Sequence, residues 1–436
     1  MKPYRAHAYA ASLCLPLLAM VPAVAQGPAI PPETKAGDAK PGDAKTVESK
    51  PMDSKPVGQG TSQPSTSQPS ASQPSASQQG GARPSGSQQS GSQQSGAWPA
   101  ETLPMLNSLG NTPGWRNYKA RFVTDQGRVV DTGNGRISHS EGQGYGMLLA
   151  VAAGDRDAFQ RIWNWTRANL MVRDDALLAW RWEPDKRPAV ADMNDATDGD
   201  ILVAWALAEA AEGWSDEGYR LASRRIAVDI ARRTVLFRNE GLPLLLPAMN
   251  GFSAEERSDG PVINLSYWVF PAFPRLAGVA PEFEWSRLSA VGQELTLRAR
   301  FGSAQLPTEW ISMRGGQPQP ATGFAPHFSY NAVRLPLYLA MAGITERTYY
   351  EPLLKLWAEP DPAGLPIIDT ASDAVAGRMA EPGYAAIPAL AVCAVSGTPL
   401  PAGLSDPVPN ENYYPATLHL LALTATNMRY RSCLGR

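Results

Sequence analysis

Histidine and cysteine are scarce in this chain of 436 residues, which has four histidines and three cysteines. The histidines, at positions 7, 139, 327 and 419, show no paired spacing, so no zinc site is predicted. The acidic stretch 191–200 is not a calcium loop either, because no register puts glycine sixth and a carboxylate twelfth. We therefore expect neither a metal nor any other cofactor.

A strong net charge of either sign is also missing, since 39 basic residues face 41 acidic ones and the net charge is only −2. A protein that binds nucleic acid needs a basic face to neutralise phosphates, so a nucleic-acid partner is not predicted. Long apolar runs are absent as well. The one candidate, residues 10–25, is short and broken by prolines at 16 and 22, which excludes a membrane span.

That N-terminal run has the features of a secretory signal peptide over residues 1–25. Two basic residues precede it, Lys2 and Arg5, and it ends on the small-x-small pattern Ala23-Val24-Ala25. We expect a periplasmic or secreted protein. Cleavage would leave Cys393 and Cys433 in an oxidising compartment, where a disulfide and two buried thiols are both open possibilities.

Residues 26–97 contain almost no side chains that could form a core. Pro, Ser, Gln, Gly and Lys dominate, and residues 62–78 form the near-repeat SQPSTSQPSASQPSASQ. Such a segment cannot offset its chain entropy by burial, so a disordered linker is predicted. All twelve tryptophans lie from Trp98 onward, so the folded domain is expected to be residues 98–436.

Within that domain, apolar residues recur at helical spacing in segments separated by Gly, Pro and Asp, while strand-like alternation is rare. The predicted helical segments are 144–153, 158–171, 201–211, 216–236, 332–342, 348–357, 384–395 and 414–428. Many helices of ten to twenty residues predict an all-α toroid closed on itself, with a site built from the loops at one end.

Glu141 stands out in the stretch RVVDTGNGRISHSEGQGYGM, where Ser138 and Glu141 have the spacing of a helix capping box. Capping alone does not explain the glycines at 142, 144 and 146, each of which costs a helix about 1 kcal/mol. The chain accepts this cost where something approaches the backbone closely. Glu141 is therefore a candidate catalytic residue.

A second acidic stretch, ADMNDATDGDILVAWALAEA, precedes another apolar helix. Thr197 and Asp200 again have the capping-box spacing, which gives Asp200 a structural interpretation. Asp198, beside Gly199 at the predicted helix start, has no role assigned by spacing and is the second candidate.

Together these stretches resemble glycoside hydrolase family 8, the inverting bacterial endoglucanases, and in particular the type associated with cellulose synthesis. The resemblance rests on SEGQGYGM and ATDGDILVAWALAEA, and continues through LLLPAMNGF, NLSYW and FSYNAVRLPLYLAMAG, so it covers nearly all of the folded part. It implies an (α/α)6 barrel. It also implies that Glu141 is the general acid and that Asp198 binds and distorts the sugar at the cleavage point.

The sequence departs from many members of that family at Asn331, where they carry the aspartate that acts as general base. An amide can orient water but cannot accept its proton. Inversion needs a second carboxylate roughly 6.5 to 9.5 Å from the acid. The candidates for this base are Asp192, Asp195, Glu309 and Asp369.

Aromatic residues in or near loops are candidates for stacking on sugar rings, with core packing as the competing interpretation. Those selected as substrate-binding are Tyr145, Trp180, Trp182, Tyr267, Trp268 and Tyr330, together with Asn331. Arg334, four residues after Tyr330 on a predicted helix, is expected to face the same cleft; the alternative is a surface cation.

The resemblance implies a secreted endo-β-1,4-glucanase acting on cellulose-like glucans. Chitosanase and xylanase activities are alternatives within the family, and a non-catalytic glucan-binding accessory of polysaccharide export is an alternative of another class. A β-glucan is the expected partner, the cellulose-synthesis machinery is a partner that the resemblance allows, and a monomer is expected.

Overall fold

The structure, a computed structural model, describes residues 103–239, 241–407 and 409–435. The predicted signal peptide and linker lie outside the described residues. The α-helices are α1 Pro113–Phe122, α2 Ser140–Ala153, α3 Arg156–Asn169, α4 Thr197–Trp214, α5 Glu217–Arg233, α6 Phe273–Val279, α7 Trp285–Arg298, α8 Arg334–Ala342, α9 Arg347–Leu356, α10 Ala386–Ser396 and α11 Tyr413–Arg429.

The strands are short and form small antiparallel sheets at the edges of the helical body. They are β1 Ser138–His139, β2 Arg181–Trp182, β3 Val235–Asn239, β4 Leu242–Leu245, β5 Val262–Ile263, β6 Ile311–Ser312, β7 Gln319–Pro320, β8 His327–Phe328, β9 Leu365–Asp369 and β10 Val375–Met379. The pairs are β1–β2 and β3–β4, with the triplets β5–β6–β7 and β10–β9–β8. None of the four sheets joins the helices into a layered α/β fold.

Two kinds of helix make up the body. Helices α2, α4, α8 and α11 are buried around nearly their whole circumference, because their sequences are apolar or small on every face. Helices such as α3, α5 and α7 bury only one stripe and present charged residues outward. This difference in burial indicates an inner set of helices covered by an outer set of helices, as the predicted all-α toroid requires.

Each of the eight predicted helical segments corresponds to a helix, while α1, α6 and α7 were not predicted. Helix α6 has only seven residues and contains Pro274, so its sequence carries little helical periodicity. Within the described parts of the chain, no helix is both long enough and apolar enough to cross a membrane. Cys393 and Cys433 form a disulfide, with their Cα atoms 6.1 Å apart.

Two glycines allow α2 and α4 to lie against each other at their starts. A Cβ atom on Gly199 would lie 2.1 Å from Ser140 Oγ and 2.7 Å from the backbone nitrogen of Glu141. On Gly144 it would lie 2.6 Å from the Cβ of Leu202. The sequence predicted that something approaches the backbone closely at the glycines of α2, without showing what it is. At Gly144 the neighbour that approaches is helix α4.

Candidate active site

The start of α2 carries Glu141 in its first turn. The capping-box prediction is wrong here, because Ser138 lies in β1 and its hydroxyl donates to the Val129 carbonyl. The cap is instead His139, whose Nδ1 accepts the Gly142 N–H at 3.0 Å. Glu141 is consequently free of a capping role, and its side chain is 13% exposed.

The start of α4 places Asp198 deeper in the same region. Its Oδ1 accepts the Gly199 N–H at 2.8 Å, and its side chain is only 2% exposed. The predicted capping box is wrong here too: Thr197 donates to the Leu246 carbonyl. Asp200 is structural as expected, but it accepts the Leu178 N–H instead of capping the helix.

Arg334, at the first position of α8, joins the two acidic residues. Its Nη1 donates to Glu141 and, at 2.8 Å, to Asp198 Oδ2. Its Nη2 donates to Ser266 Oγ at 2.9 Å and to Asn331 Oδ1 at 2.6 Å. The side chain is 1% exposed, so the alternative of a surface cation is wrong, and the predicted role in a substrate cleft stays a prediction.

The charges in this cluster influence one another strongly. Burial raises the pKa of Asp198 to about 7; Arg334 opposes the rise and Glu141 adds to it. Burial alone would lower the pKa of Arg334, but the neighbouring carboxylates raise it, so the guanidinium stays charged. Asp198 therefore titrates near neutral pH beside a permanent cation.

His139 connects the cluster to the loop before β1. Its Nε2 lies 3.5 Å from Asp131 Oδ2. Burial would lower the pKa of His139, but Asp131, Glu141 and Asp198 together raise it. Because Nδ1 accepts the Gly142 N–H, the neutral ring carries its proton on Nε2, the nitrogen facing Asp131.

Glu141 and Asp198 are too close together to be the acid and base of an inverting hydrolysis. Both accept from the same nitrogen of Arg334, so their bonded oxygens lie within about two hydrogen-bond lengths, roughly 6 Å or less. Inverting enzymes separate the two carboxyl groups by roughly 6.5 to 9.5 Å, which leaves room for water. A base must therefore be sought elsewhere.

Asn331 contacts Arg334 on one side and the carboxylate of Glu309 on the other. Its backbone N–H donates to Glu309 Oε1 at 2.7 Å, and its side chain lies close enough to help lower the pKa of that carboxyl. Burial raises the pKa of Glu309, and the Asn331 bonds and the Arg334 charge oppose the rise. Of the four carboxylates suggested by the sequence, Glu309 is the one bonded to Asn331.

Three of the aromatic residues predicted to stack on sugar lie in the core. Tyr145 is fully buried with its hydroxyl bonded to Tyr338, and Trp268 is fully buried with Nε1 donating to the Leu288 carbonyl. Tyr267 is 1% exposed and lies under the Arg334 guanidinium. Stacking needs an exposed ring face, so core packing replaces the predicted role for these three rings.

The other selected rings lie nearer the surface. Trp180 donates from Nε1 to Asp192, and its carbonyl accepts the N–H of Ser140, the first residue of α2. Trp182 pairs with Ser138 across β1–β2 and packs edge-on against Trp165. This pairing brings both tryptophans of the WRW segment close to the start of α2.

Tyr330 is partly buried and borders the residue that contacts Glu309. Its ring makes an edge contact with Tyr384, their centroids 6.0 Å apart, and its carbonyl accepts the Tyr414 hydroxyl at 2.8 Å. Because Tyr330 is only partly buried, a stacking role for its ring stays a prediction.

Several residues of the site escaped sequence reasoning. Ser266 belongs to the motif NLSYW, whose larger residues Tyr267 and Trp268 were the ones predicted to bind substrate. Tyr413 and Tyr414 begin α11, and their pKa values are raised by burial and by Glu141. The asparagine two residues before Ser266 was the available signal, since Asn264 Oδ1 accepts the Ser266 hydroxyl at 2.7 Å.

No cluster of three His, Cys, Asp or Glu side chains suited to a metal ion occurs in the described part of the chain. The chemistry available here is that of carboxylates, one guanidinium and tyrosine hydroxyls. Such a set can donate a proton, bind hydroxyl groups and activate water.

The family model for Glycosyl hydrolases family 8 matches residues 92–428. A "Probable endoglucanase" from Novacetimonas hansenii is 34% identical over 71% of this chain and 89% of its own length. An "Endoglucanase" from Cellulomonas uda is 40% identical over 52% of this chain, and the match spans 62% of that relative. The solved endo-beta-1,4-glucanase from Acetobacter xylinum is 33% identical with a TM-score of 0.66, covering 74% of this chain and 99% of the other.

Proposed function

The chain belongs to glycosyl hydrolase family 8 and is a glycoside hydrolase with the predicted (α/α)6-barrel fold, and from this premise we propose that it is an endo-β-1,4-glucanase. The observation that carries the proposal is the buried Arg334 that holds Glu141 and Asp198 at the starts of two inner helices. The names of the similar proteins support a glucan as substrate.

Hydrolysis in this proposal begins with Glu141. A carboxyl group that is partly exposed and fixed by Arg334 can give its proton to the leaving glycosidic oxygen. Asp198 is buried behind it and binds hydroxyl groups of the sugar at the cleavage point, where it favours a distorted ring. Arg334 donates one hydrogen bond to each of the two carboxyl groups and is itself held by Ser266 and Asn331, which is the positioning that catalysis requires.

Export is part of the proposal. The Cys393–Cys433 disulfide supports an oxidising compartment, in agreement with the signal peptide predicted over residues 1–25. We propose a periplasmic or secreted enzyme with residues 26–97 as linker, acting as a monomer on its glucan. Association with the cellulose-synthesis machinery is tested by co-purification from a cellulose-producing cell.

A substrate panel tests the activity. The domain from Trp98 onward is incubated with carboxymethylcellulose, glycol chitosan and xylan, and the release of reducing sugar is measured. We expect release from carboxymethylcellulose with a rapid fall in viscosity, which is the mark of internal cleavage. Faster release of reducing sugar from chitosan or xylan would show that chitosan or xylan is the preferred substrate instead of a cellulose-like glucan. Release from none of the three would favour the glucan-binding accessory instead.

A further inference from the structure

Resting on the proposed hydrolysis, we propose that Glu309 is the general base that takes the proton from the attacking water, with Asn331 as the residue that holds it in place. Nothing in the family resemblance assigns Glu309 this role. The inference comes from the contacts of Asn331, which occupies the position where many relatives carry an acidic base.

The two ends of the Asn331 amide have different neighbours. Its Oδ1 accepts from Arg334 Nη2 at 2.6 Å, which leaves the NH2 group as the end able to donate toward Glu309, whose pKa the side chain helps to lower. The backbone N–H of Asn331 donates to the same carboxylate at 2.7 Å. Asn331 therefore links Arg334 to Glu309 and fixes the orientation of Glu309.

An aspartate at position 331 would not fit beside Glu309. Its oxygen would replace the NH2 donor and put a second negative charge against the first. The asparagine and Glu309 are thus complementary: one supplies the donor and the other supplies the carboxylate. This pairing explains why an amide occupies a position where a carboxylate is common.

Glu309 also lies near the other charged groups of the site. The charged groups that surround the buried Tyr267 hydroxyl are Asp198, Arg334, Glu141 and Glu309. Glu309 is partly exposed, so water can reach it. Arg334 and Asn331 stand between Glu309 and Glu141 in the hydrogen-bond network, whereas Asp198 shares one Arg334 nitrogen with Glu141.

The other three candidates are engaged in loop structure. Asp192 accepts from Trp180 Nε1 and from the Asn194 N–H. Asp369 accepts the N–H groups of residues 371 and 372. Asp195 accepts the Met249 N–H and lies among Arg173 and two further aspartates, Asp175 and Asp200.

The proposed step is balanced in atoms and protons. The water oxygen forms a bond to the anomeric carbon as the bond from that carbon to the glycosidic oxygen breaks. Glu141 gives its proton to the departing oxygen, and Glu309 takes a proton from the water. The β-linked substrate yields an α-anomeric product, with no other reactant.

Azide separates a base from a structural carboxylate, because azide attacks without losing a proton. We expect Glu309→Ala to lower kcat on carboxymethylcellulose by about 10²–10⁴-fold. Sodium azide should restore turnover and yield an α-glycosyl azide. The matched control is Glu294→Gln, an exposed residue on α7, which should keep wild-type activity. Activity of Glu309→Ala within tenfold of wild type would overturn the inference.

An exchange of side chains provides the second test and does not depend on Glu309→Ala folding well. Glu309→Gln keeps the shape of the side chain and should be nearly inactive, while its melting temperature stays close to wild type. Adding Asn331→Asp restores one carboxylate and one amide in exchanged positions. We expect the double variant to be at least tenfold more active than Glu309→Gln. A double variant no faster than Glu309→Gln, with azide inactive on Glu309→Ala, would overturn the assignment.

Failure of the proposed function gives a different result. In that case the wild-type domain releases no sugar from any substrate of the panel, whatever stands at position 309. If only the base assignment fails, the wild-type domain is still active and another carboxylate must be the base.

Discussion

Arg334 lies 193 residues from Glu141 and 136 residues from Asp198 in the chain, yet one of its nitrogens bonds both. The sequence identified all three residues, because two stand at helix starts in uncommon surroundings and the third follows Tyr330 by four positions. Ser266 and His139 were missed, since a bond between distant residues leaves no spacing to detect. The sequence therefore predicted single candidate residues, but it did not predict the hydrogen bonds that join them.

Arg334→Met tests the buried charge cluster through stability. Without the guanidinium, two carboxyl groups face each other in the interior, so we expect a loss of about 3–5 kcal/mol in unfolding free energy at pH 8. The folded-state pKa of Asp198 then rises further, so stability is retained at low pH and lost as pH increases. Urea unfolding at pH 5 and pH 8 measures the difference. Equal losses at both pH values would contradict the account.

Asp195→Asn tests a second buried carboxylate. Burial raises the pKa of Asp195 from 3.8 to about 6, and its Oδ2 has no hydrogen-bond partner. The folded state therefore holds a proton that the unfolded state has lost between about pH 4 and pH 6, and stability falls as pH rises through that window. We expect the variant to be more stable than wild type at pH 7.5, by on the order of 2 kcal/mol, and little changed at pH 4. Thermal melts at both pH values check this; a less stable variant at pH 7.5 would contradict it.

At the scale of elements, the sequence predicted the existence of helices better than their starts. Strong apolar periodicity identified eight of them, whereas α1, α6 and α7 are short or mixed in composition. Both capping boxes were wrong, because Ser138 is taken by β1 and Thr197 by the Leu246 carbonyl. Tertiary contacts competed for the capping side chains, and spacing alone does not show that competition.

Gly199→Ala tests the contact between α2 and α4. The added methyl group would meet Ser140 Oγ at 2.1 Å and the Glu141 backbone nitrogen at 2.7 Å, so α2 must shift and move Glu141 away from Arg334. We expect a stability loss of about 1–3 kcal/mol and a fall in kcat of at least tenfold. Melting temperature and kcat are measured beside Gly403→Ala, where a Cβ meets nothing within 4 Å. A variant as active and stable as this control would show that the contact is not needed.

At the scale of the whole molecule, the toroid brings the starts of α2, α4, α8 and α11 to one region. Glu141, Asp198, Arg334 and Tyr414 come from these four starts. Helix N-termini favour negative charge, so several helix starts in one region suit a site rich in carboxylates. The sequence predicted a site at one end of the toroid, but it assigned the site to loops, while the proposed catalytic side chains stand on the first turns of inner helices.

Removing residues 26–97 tests the division of the chain that its composition predicts. A Pro, Ser and Gln segment contributes no packed surface to the site, so kcat/KM on soluble carboxymethylcellulose should stay within twofold of the full chain. The full and shortened chains are compared at equal concentration. A tenfold loss after removal would show that the segment takes part in catalysis.

The role of Glu141 as general acid is the central claim, and one pair of rates tests it most directly. Glu141→Gln is assayed on carboxymethylcellulose, whose leaving oxygen needs a proton, and on a β-cellooligosaccharyl fluoride, whose leaving group needs none. We expect a loss of about 10²–10⁴-fold on the polymer and a far smaller loss on the fluoride, with the melting temperature nearly unchanged. Activity within tenfold of wild type on the polymer, or equal losses on both substrates, would contradict the claim.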